Sequence, residues 1–183
     1  MKDHVIKTYF AEPAQPVCLH ENRFFRLMFN GEYHYLEALK YPRSAIVVPR
    51  FANGDLMLVK LKRAPAIGLS WEFPRGGLLQ GECPTEGGVR ALEEETGYRI
   101  DPLGVCHLGR LAPDTATING TADVLLVDIP DDAARGAFDS KEIVEPLRVP
   151  EHEFRGHILS GDIVDGQTIA AYALLLLHKR TLN

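Results

Sequence analysis

Three consecutive carboxylates, Glu93-Glu94-Glu95, stand near the end of a segment that opens at Pro84 and closes at Gly97. Proline suits the first position of a helix and glycine the position just past its end, so residues 84–96 are predicted to be helical. The three carboxylates then occupy the last turn, where the helix dipole disfavours negative charge. They also repel one another, and Glu86, Arg90 and Glu94 fall on one helical row. A divalent cation reverses this cost. Mg²⁺ takes hard oxygen ligands and completes its shell with waters and phosphate oxygens. Arg90 can hold neighbouring carboxylates in place, and the glycines ahead of the helix let a backbone turn approach a ligand closely. The plain alternative is a solvated acidic helix end behind a glycine-rich loop.

The spacing argues for chemistry. Gly76, Glu82, Arg90, Leu92, Glu94, Glu95 and Gly97 all fall in register with one pattern. It runs Gly, five residues, Glu, seven residues, then Arg-Glu-apolar-any-Glu-Glu-any-Gly-apolar, and Tyr98 takes the last apolar place. The segment resembles the Nudix box, a many-point match far more specific than a lone glycine fingerprint. One position departs: Ala91 stands where the pattern has Glu. In many family members that carboxylate is a metal ligand or the base that activates water. Positions 91, 94, 95 and 98 share one helix face, so Glu93, on another side, cannot replace the missing group.

Flanking segments resemble the ADP-ribose pyrophosphatase branch of that family. Leu58–Arg63 followed by Trp71-Glu72-Phe73-Pro74-Arg75-Gly76 is similar to its strand and approach loop. Pro113, fifteen residues past Tyr98, resembles a marker of ADP-sugar hydrolases, and residues 153–171 resemble the closing helix pair. The resemblance covers residues 45–178. It implies an α/β (α+β) Nudix fold, a mixed β-sheet sandwiched between helices, with an N-terminal β extension over residues 1–40 and the hydrolase domain over 41–183. It implies metal-dependent hydrolysis of a nucleoside diphosphate linked to another moiety, with ADP-ribose or another ADP-sugar giving AMP and a sugar phosphate. A dinucleoside polyphosphate or a dinucleotide cofactor fits the same chemistry.

The resemblance also distributes roles. Glu94 and Glu95 are expected to bind Mg²⁺, or Mn²⁺, which accepts the same oxygen ligands. The backbone carbonyl of Arg75, where the branch commonly has Ala, would assist. Arg90 and Glu82 would orient the site, and Arg63, Glu72 and Pro113 would meet the substrate. A third carboxylate, both catalytic and metal-binding, is placed at Glu142 by lining up the Arg148-Val149-Pro150 strand end, with Glu145 and Asp139 as the other candidates. A homodimer is implied. The alternative reading, which Ala91 favours, is a Nudix-like module that binds a nucleotide without hydrolysing it. His107 and His152 show no partner in the sequence and are not assigned a role.

The elements that must position these residues are legible in part. Asn-Gly supplies the two positive-φ residues of a tight hairpin. Asn30-Gly31, Asn53-Gly54 and Asn119-Gly120 therefore predict three antiparallel pairings, around Phe24–Leu36, Ala45–Leu61 and before Ala122–Ile129. Further helices are expected over Glu151–Ser160 and from Asp165–Thr168 to His178-Lys179-Arg180, whose charges suit a helix C-terminus. The aromatic residues Phe24, Phe25, Phe29, Tyr33 and Tyr35 could stack a base, although such a stripe more commonly forms core or interface.

Composition bounds the rest. The chain has 183 residues, 45% hydrophobic and 25% charged, as for an ordinary globular domain. A net charge of -5 does not advertise a nucleic-acid surface, so an anionic substrate needs locally placed cations. Cys18, Cys83 and Cys106 fit neither a zinc site nor a disulfide framework and read as free thiols. Met1–Phe10 has no apolar signal core, and the longest apolar run, Ile169–Leu177, is too short to span a bilayer. A cytoplasmic enzyme with no membrane or nucleic-acid partner is expected.

Overall fold

The computed structural model describes residues 15–64, 67–130, 132–138 and 143–181. Two sheets are present among them. The smaller is a meander of β1 (Val17–Glu21), β2 (Phe25–Phe29) and β3 (His34–Ala38), extended by β9 (Ile118–Asn119), which runs parallel to β3. The larger has seven strands and the order β11-β5-β4-β10-β8. Its members are β4 (Arg43–Phe51), β5 (Leu56–Lys62), β8 (Cys106–Leu111), β10 (Thr121–Ile129) and β11 (Ile143–Val149), with β6 (Leu69–Glu72) on β5 and β7 (Arg75–Gly77) on β4. Only β4 and β10 pair in parallel within this sheet, which makes it mixed.

Helices cover both faces. The sheet shows why: Ala45, Ile46, Val47 and Val48 are all buried, and successive side chains of a strand serve opposite faces. Ile46 and Val48 join Leu58, Val124, Phe154, Ala171 and Leu175 in one cluster, under helices α2 (Glu151–Ser160) and α3 (Gly166–Thr181). On the other face Ala45 packs with Leu78 and Leu125, while Val47 packs with Val127 and with Leu92 of helix α1 (Pro84–Thr96). Strands buried on both faces read as continuous apolar runs, which is how β4 and β10 are written.

The three α-helices among the described residues lie where the sequence placed them, and two of the three Asn-Gly pairs turn hairpins. Gly31 and Gly54 take φ of 92° and 90°, joining β2 to β3 and β4 to β5. The third expectation fails. Gly120 is not among the positive-φ glycines; it carries the chain from β9 in the small sheet to β10 in the large one. The antiparallel partner of β10 is β8, reached through the loop ahead of β9. The strands that flank Asn119-Gly120 belong to different sheets, so parallel pairing with β3 and β4 overrides the local turn signal.

The β4–β5 hairpin is splayed. Near its turn Arg50 pairs with Leu56, but further out β4 turns to β7 and β5 to β6. Residues 69–77 thus enter between the two arms, and Val47 N–H bonds the Pro74 carbonyl at 2.8 Å to close the gap. Helix α1 lies close against β4 and β10 because Gly88 has no side chain. A Cβ there would lie 2.5 Å from Leu125 Cδ1 and 3.2 Å from Val47 Cγ2. Gly88→Val is therefore expected to lower stability by about 1–3 kcal/mol through overpacking, read as a fall in the urea midpoint without a change in slope.

Candidate active site

Helix α1 carries the box, and its N-terminus is built by a capping box with an unusual acceptor. Cys83 Sγ accepts from Glu86 N–H at 3.5 Å, and Glu86 Oε2 accepts from Cys83 N–H at 3.0 Å. Glu86 therefore turns back to the cap. Its row neighbour Arg90 reaches the other way: Nε lies 2.8 Å from Glu82 Oε1, one terminal nitrogen donates to the Gly77 carbonyl at 2.9 Å, and the other approaches Glu94 at 3.2 Å. Glu82 also accepts from Leu79 N–H at 2.7 Å. Its bond from Arg90, with the Leu79 N–H, outweighs burial and holds the Glu82 carboxyl below the usual range. Arg90 and Glu82 thus fasten the glycine loop to the helix.

At the other end Gly97 takes φ of 81° and its N–H bonds the Glu93 carbonyl. A Cβ on Gly97 would lie 2.2 Å from the Gly136 carbonyl, so close approach as well as backbone angle requires glycine. The three box carboxylates have separate environments. Glu93 pairs with exposed Arg99. Glu94 is exposed beside Arg90. Glu95 faces inward, and Arg75 N–H donates to it at 3.3 Å. Burial pushes the Glu95 carboxyl up to about 7, and Glu72 pushes the same way. The Arg75 N–H and the Arg75 and Arg63 charges oppose them without prevailing.

Beside Glu95 lies a network that the sequence did not reveal. Glu72 is 1% exposed, and Arg63 and Arg75 both bind its Oε2, Arg75 at 2.8 Å. The other end of the Arg75 fork is 3.3 Å from Asp165. Asp165 in turn accepts from both N–H and hydroxyl of Thr168 at 2.8 Å, and Thr168 Oγ1 accepts from Phe73 N–H at 3.1 Å. One chain of contacts therefore ties the wedge strands to the start of α3. Asp165 carried a helix-start signal, but nothing local named Arg75 as its partner.

Of the residues picked out in the sequence, Arg63, Glu72, Arg75 and Glu95 are brought together, and Arg90 separately joins Glu94 on α1 to Glu82 in the loop ahead of it. Pro113 lies in the loop between β8 and β9, partly buried. Asp139 and Glu142 lie outside the described residues, while Glu145 is exposed on β11 and 3.4 Å from Lys60. His107 does have a partner: with Arg43 and Arg110 it surrounds Asp123, which is 1% exposed. A cleft of about 810 Å³ is lined by Tyr33 of the β2–β3 turn and Tyr35 of β3 with Thr115, Ile118 and Asn119, and shares no residue with the box.

Glu95 fits a hard divalent cation. It is a half-buried carboxylate, desolvated enough to raise its pKa, that makes no ion pair among the described residues, a state that a cation stabilises. Among the described residues no three His, Cys, Asp or Glu side chains form a metal-holding cluster, so water, backbone and phosphate oxygens must complete any shell.

Known proteins resemble this chain in sequence and fold. The family described as NUDIX domain matches residues 40–170. An ADP-ribose pyrophosphatase of Bacillus subtilis (strain 168) is 28% identical over 153 residues, covering 81% of this chain and 79% of that protein. A methanol dehydrogenase activator of Bacillus methanolicus is 27% identical over 157 residues, covering 82% and 80%. The solved structure of an ADP compounds hydrolase superposes with a TM-score of 0.74 at 16% identity, over 94% of this chain and 97% of that one, and so shares the fold. No helix among the described residues is long and apolar enough to cross a membrane.

The pH dependence of the site follows from Glu95. A carboxyl whose folded pKa is raised destabilises the folded state once it ionises, so the metal-free protein should lose stability as pH rises from the ordinary glutamate range through about 7. Thermal melts in EDTA across this window check it, and Glu95→Gln should remove most of the loss. A divalent cation bound there would compete with the same proton, so its apparent affinity should rise across that window.

Proposed function

From the premise that this chain belongs to the NUDIX family, we propose that it is a metal-dependent pyrophosphohydrolase acting on a nucleoside diphosphate linked to a second group, with ADP-ribose or another ADP-sugar as substrate. The observation that carries the reading is Glu95, a half-buried carboxylate on the box helix with arginine charges near it and no ion pair among the described residues. The similarity to an ADP-ribose pyrophosphatase over most of both chains supports the choice of substrate.

Glu95 and Glu94 would hold Mg²⁺ or Mn²⁺, with the Arg75 carbonyl as a further oxygen ligand. When bound, such an ion neutralises phosphate charge and lowers the pKa of a coordinated water. The protein's own groups do the remainder. Arg90 and Glu82 hold the glycine loop against α1, so the backbone at Gly76 and Gly77 keeps a fixed distance from the carboxylates. Arg63 and Arg75, pinned on Glu72, present guanidinium edges where a diphosphate would lie. Pro113 would border the substrate. Glu142 is proposed as the group that receives the proton of the attacking water, which adds to phosphorus as the bridging oxygen leaves, giving AMP and ribose 5-phosphate from ADP-ribose.

Ala91 supports a second reading, a module that binds the nucleotide and leaves it intact. Turnover separates the two. Incubation with ADP-ribose and Mg²⁺, followed by chromatography, should yield AMP, and Glu95→Gln should reduce the rate by about 10²-fold or more, the scale at which loss of one transition-state charge partner is felt. A folded protein that turns over neither ADP-ribose nor a panel of other nucleoside diphosphate compounds would overturn the hydrolase reading and favour the binding module instead.

A further inference from the structure

The one departure in the box and the arginine ahead of it are neighbours in space. A Cβ built on Gly76 would lie 2.8 Å from Ala91 Cβ, so position 91 rests on the residue that follows Arg75. One turn further along α1, Glu95 accepts the Arg75 N–H. On this face the chain has a methyl where the box pattern has a carboxylate, and a guanidinium where an uncharged residue would serve for a backbone carbonyl. The first change removes one negative charge and the second adds one positive charge. Together they change the formal charge by two, the charge of one divalent cation, part of which Glu72 and Asp165 already meet.

The guanidinium is well placed to use that charge. One terminal nitrogen is 2.8 Å from Glu72 and the other 3.3 Å from Asp165, so its orientation is fixed before any ligand arrives. Its side chain remains 23% exposed. An arginine carries five N–H donors, more than two carboxylates engage, and the planar fork matches phosphate oxygens.

We propose that Arg75 stands in for a second metal ion: the site takes one divalent cation, through Glu95 and Glu94, and the Arg75 guanidinium supplies the remaining positive charge to the diphosphate. This rests on the proposed hydrolase reading. The test counts Mn²⁺ by electron paramagnetic resonance in the full chain saturated with the α,β-methylene analogue of ADP-ribose, and measures the affinity of that analogue for the native chain, Arg75→Ala and Arg75→Lys. The expected result is one Mn²⁺ per chain. Arg75→Ala should weaken the analogue by about tenfold or more, the effect of losing a charged hydrogen-bond donor, with Arg75→Lys in between. Two or more Mn²⁺ in the native chain would overturn the proposal, and so would an Arg75→Ala protein that binds the analogue as tightly as the native chain. If Arg75→Ala does not fold, the native metal count decides alone. A native chain that binds neither Mn²⁺ nor the analogue would overturn the hydrolase reading itself, a result distinct from an excess of metal.

Discussion

A carboxylate removed from water must be met by cations, and Glu72 imposes that condition on the whole site. It sits on β6 in the middle of the opened hairpin, almost fully buried, where an unpaired charge would cost several kcal/mol, a cost of about that size even after relaxation. Two arginines answer it, Arg63 from beyond the end of β5 and Arg75 from β7. Arg75 then requires Asp165, Asp165 organises Thr168, and Thr168 receives the Phe73 N–H that the wedge would otherwise leave without a partner. The backbone of Arg75, held in this way, meets Glu95. The box helix is thus registered against the sheet on one side through packing at Gly76 and Gly88, and on the other through a polar chain that begins at one buried oxygen pair.

Local signals in the sequence found local structure. The limits of α1 were legible because Pro84 and Gly97 act within one turn of themselves, and α3 because its start and its basic end are both written in adjacent residues. Hairpins at Gly31 and Gly54 were legible for the same reason. The capping role of Cys83 was not, since sulfur is a weak acceptor and ranks outside the usual cap residues. The Glu three positions later was the available clue. Sheet order was out of reach: whether Asn119-Gly120 turns a hairpin depends on which strands lie beside it, and those strands come from two sheets.

The same division runs through the site. Glu82, Arg90, Glu94 and Glu95 were found from spacing along one helix. The long-range ion pairs of the surrounding structure were not, because their members are distant in sequence: Arg75 and Asp165 are 90 residues apart, and Arg43 and Asp123 are 80 apart. Asp123 shows the limit well. Burial alone would raise its carboxyl, yet hydrogen bonds from His107, Arg43 and Arg110 bring it below the usual range. None of those four residues carries a motif, and His107 alone suggested no role. Long-range ion pairs of this kind follow from topology, which a single sequence does not print.

The parallel pair at the centre of the large sheet sets an order of events in folding. Strand β4 is hydrogen-bonded to β10 along its whole length, from Arg43 to Phe51, so the two halves of the sheet's core are made at opposite ends of a long stretch of chain. Pairing at such sequence separation is slow, because loop closure must come before the contacts that repay it. During synthesis the box helix emerges from the ribosome before β10 does, when the surface formed by Val47 and Gly88 still lacks Leu125 and Val127. Helix α1 and its carboxylates therefore wait, unseated, for the C-terminal half of the chain. The nascent protein cannot present a finished site until its last strands are in place.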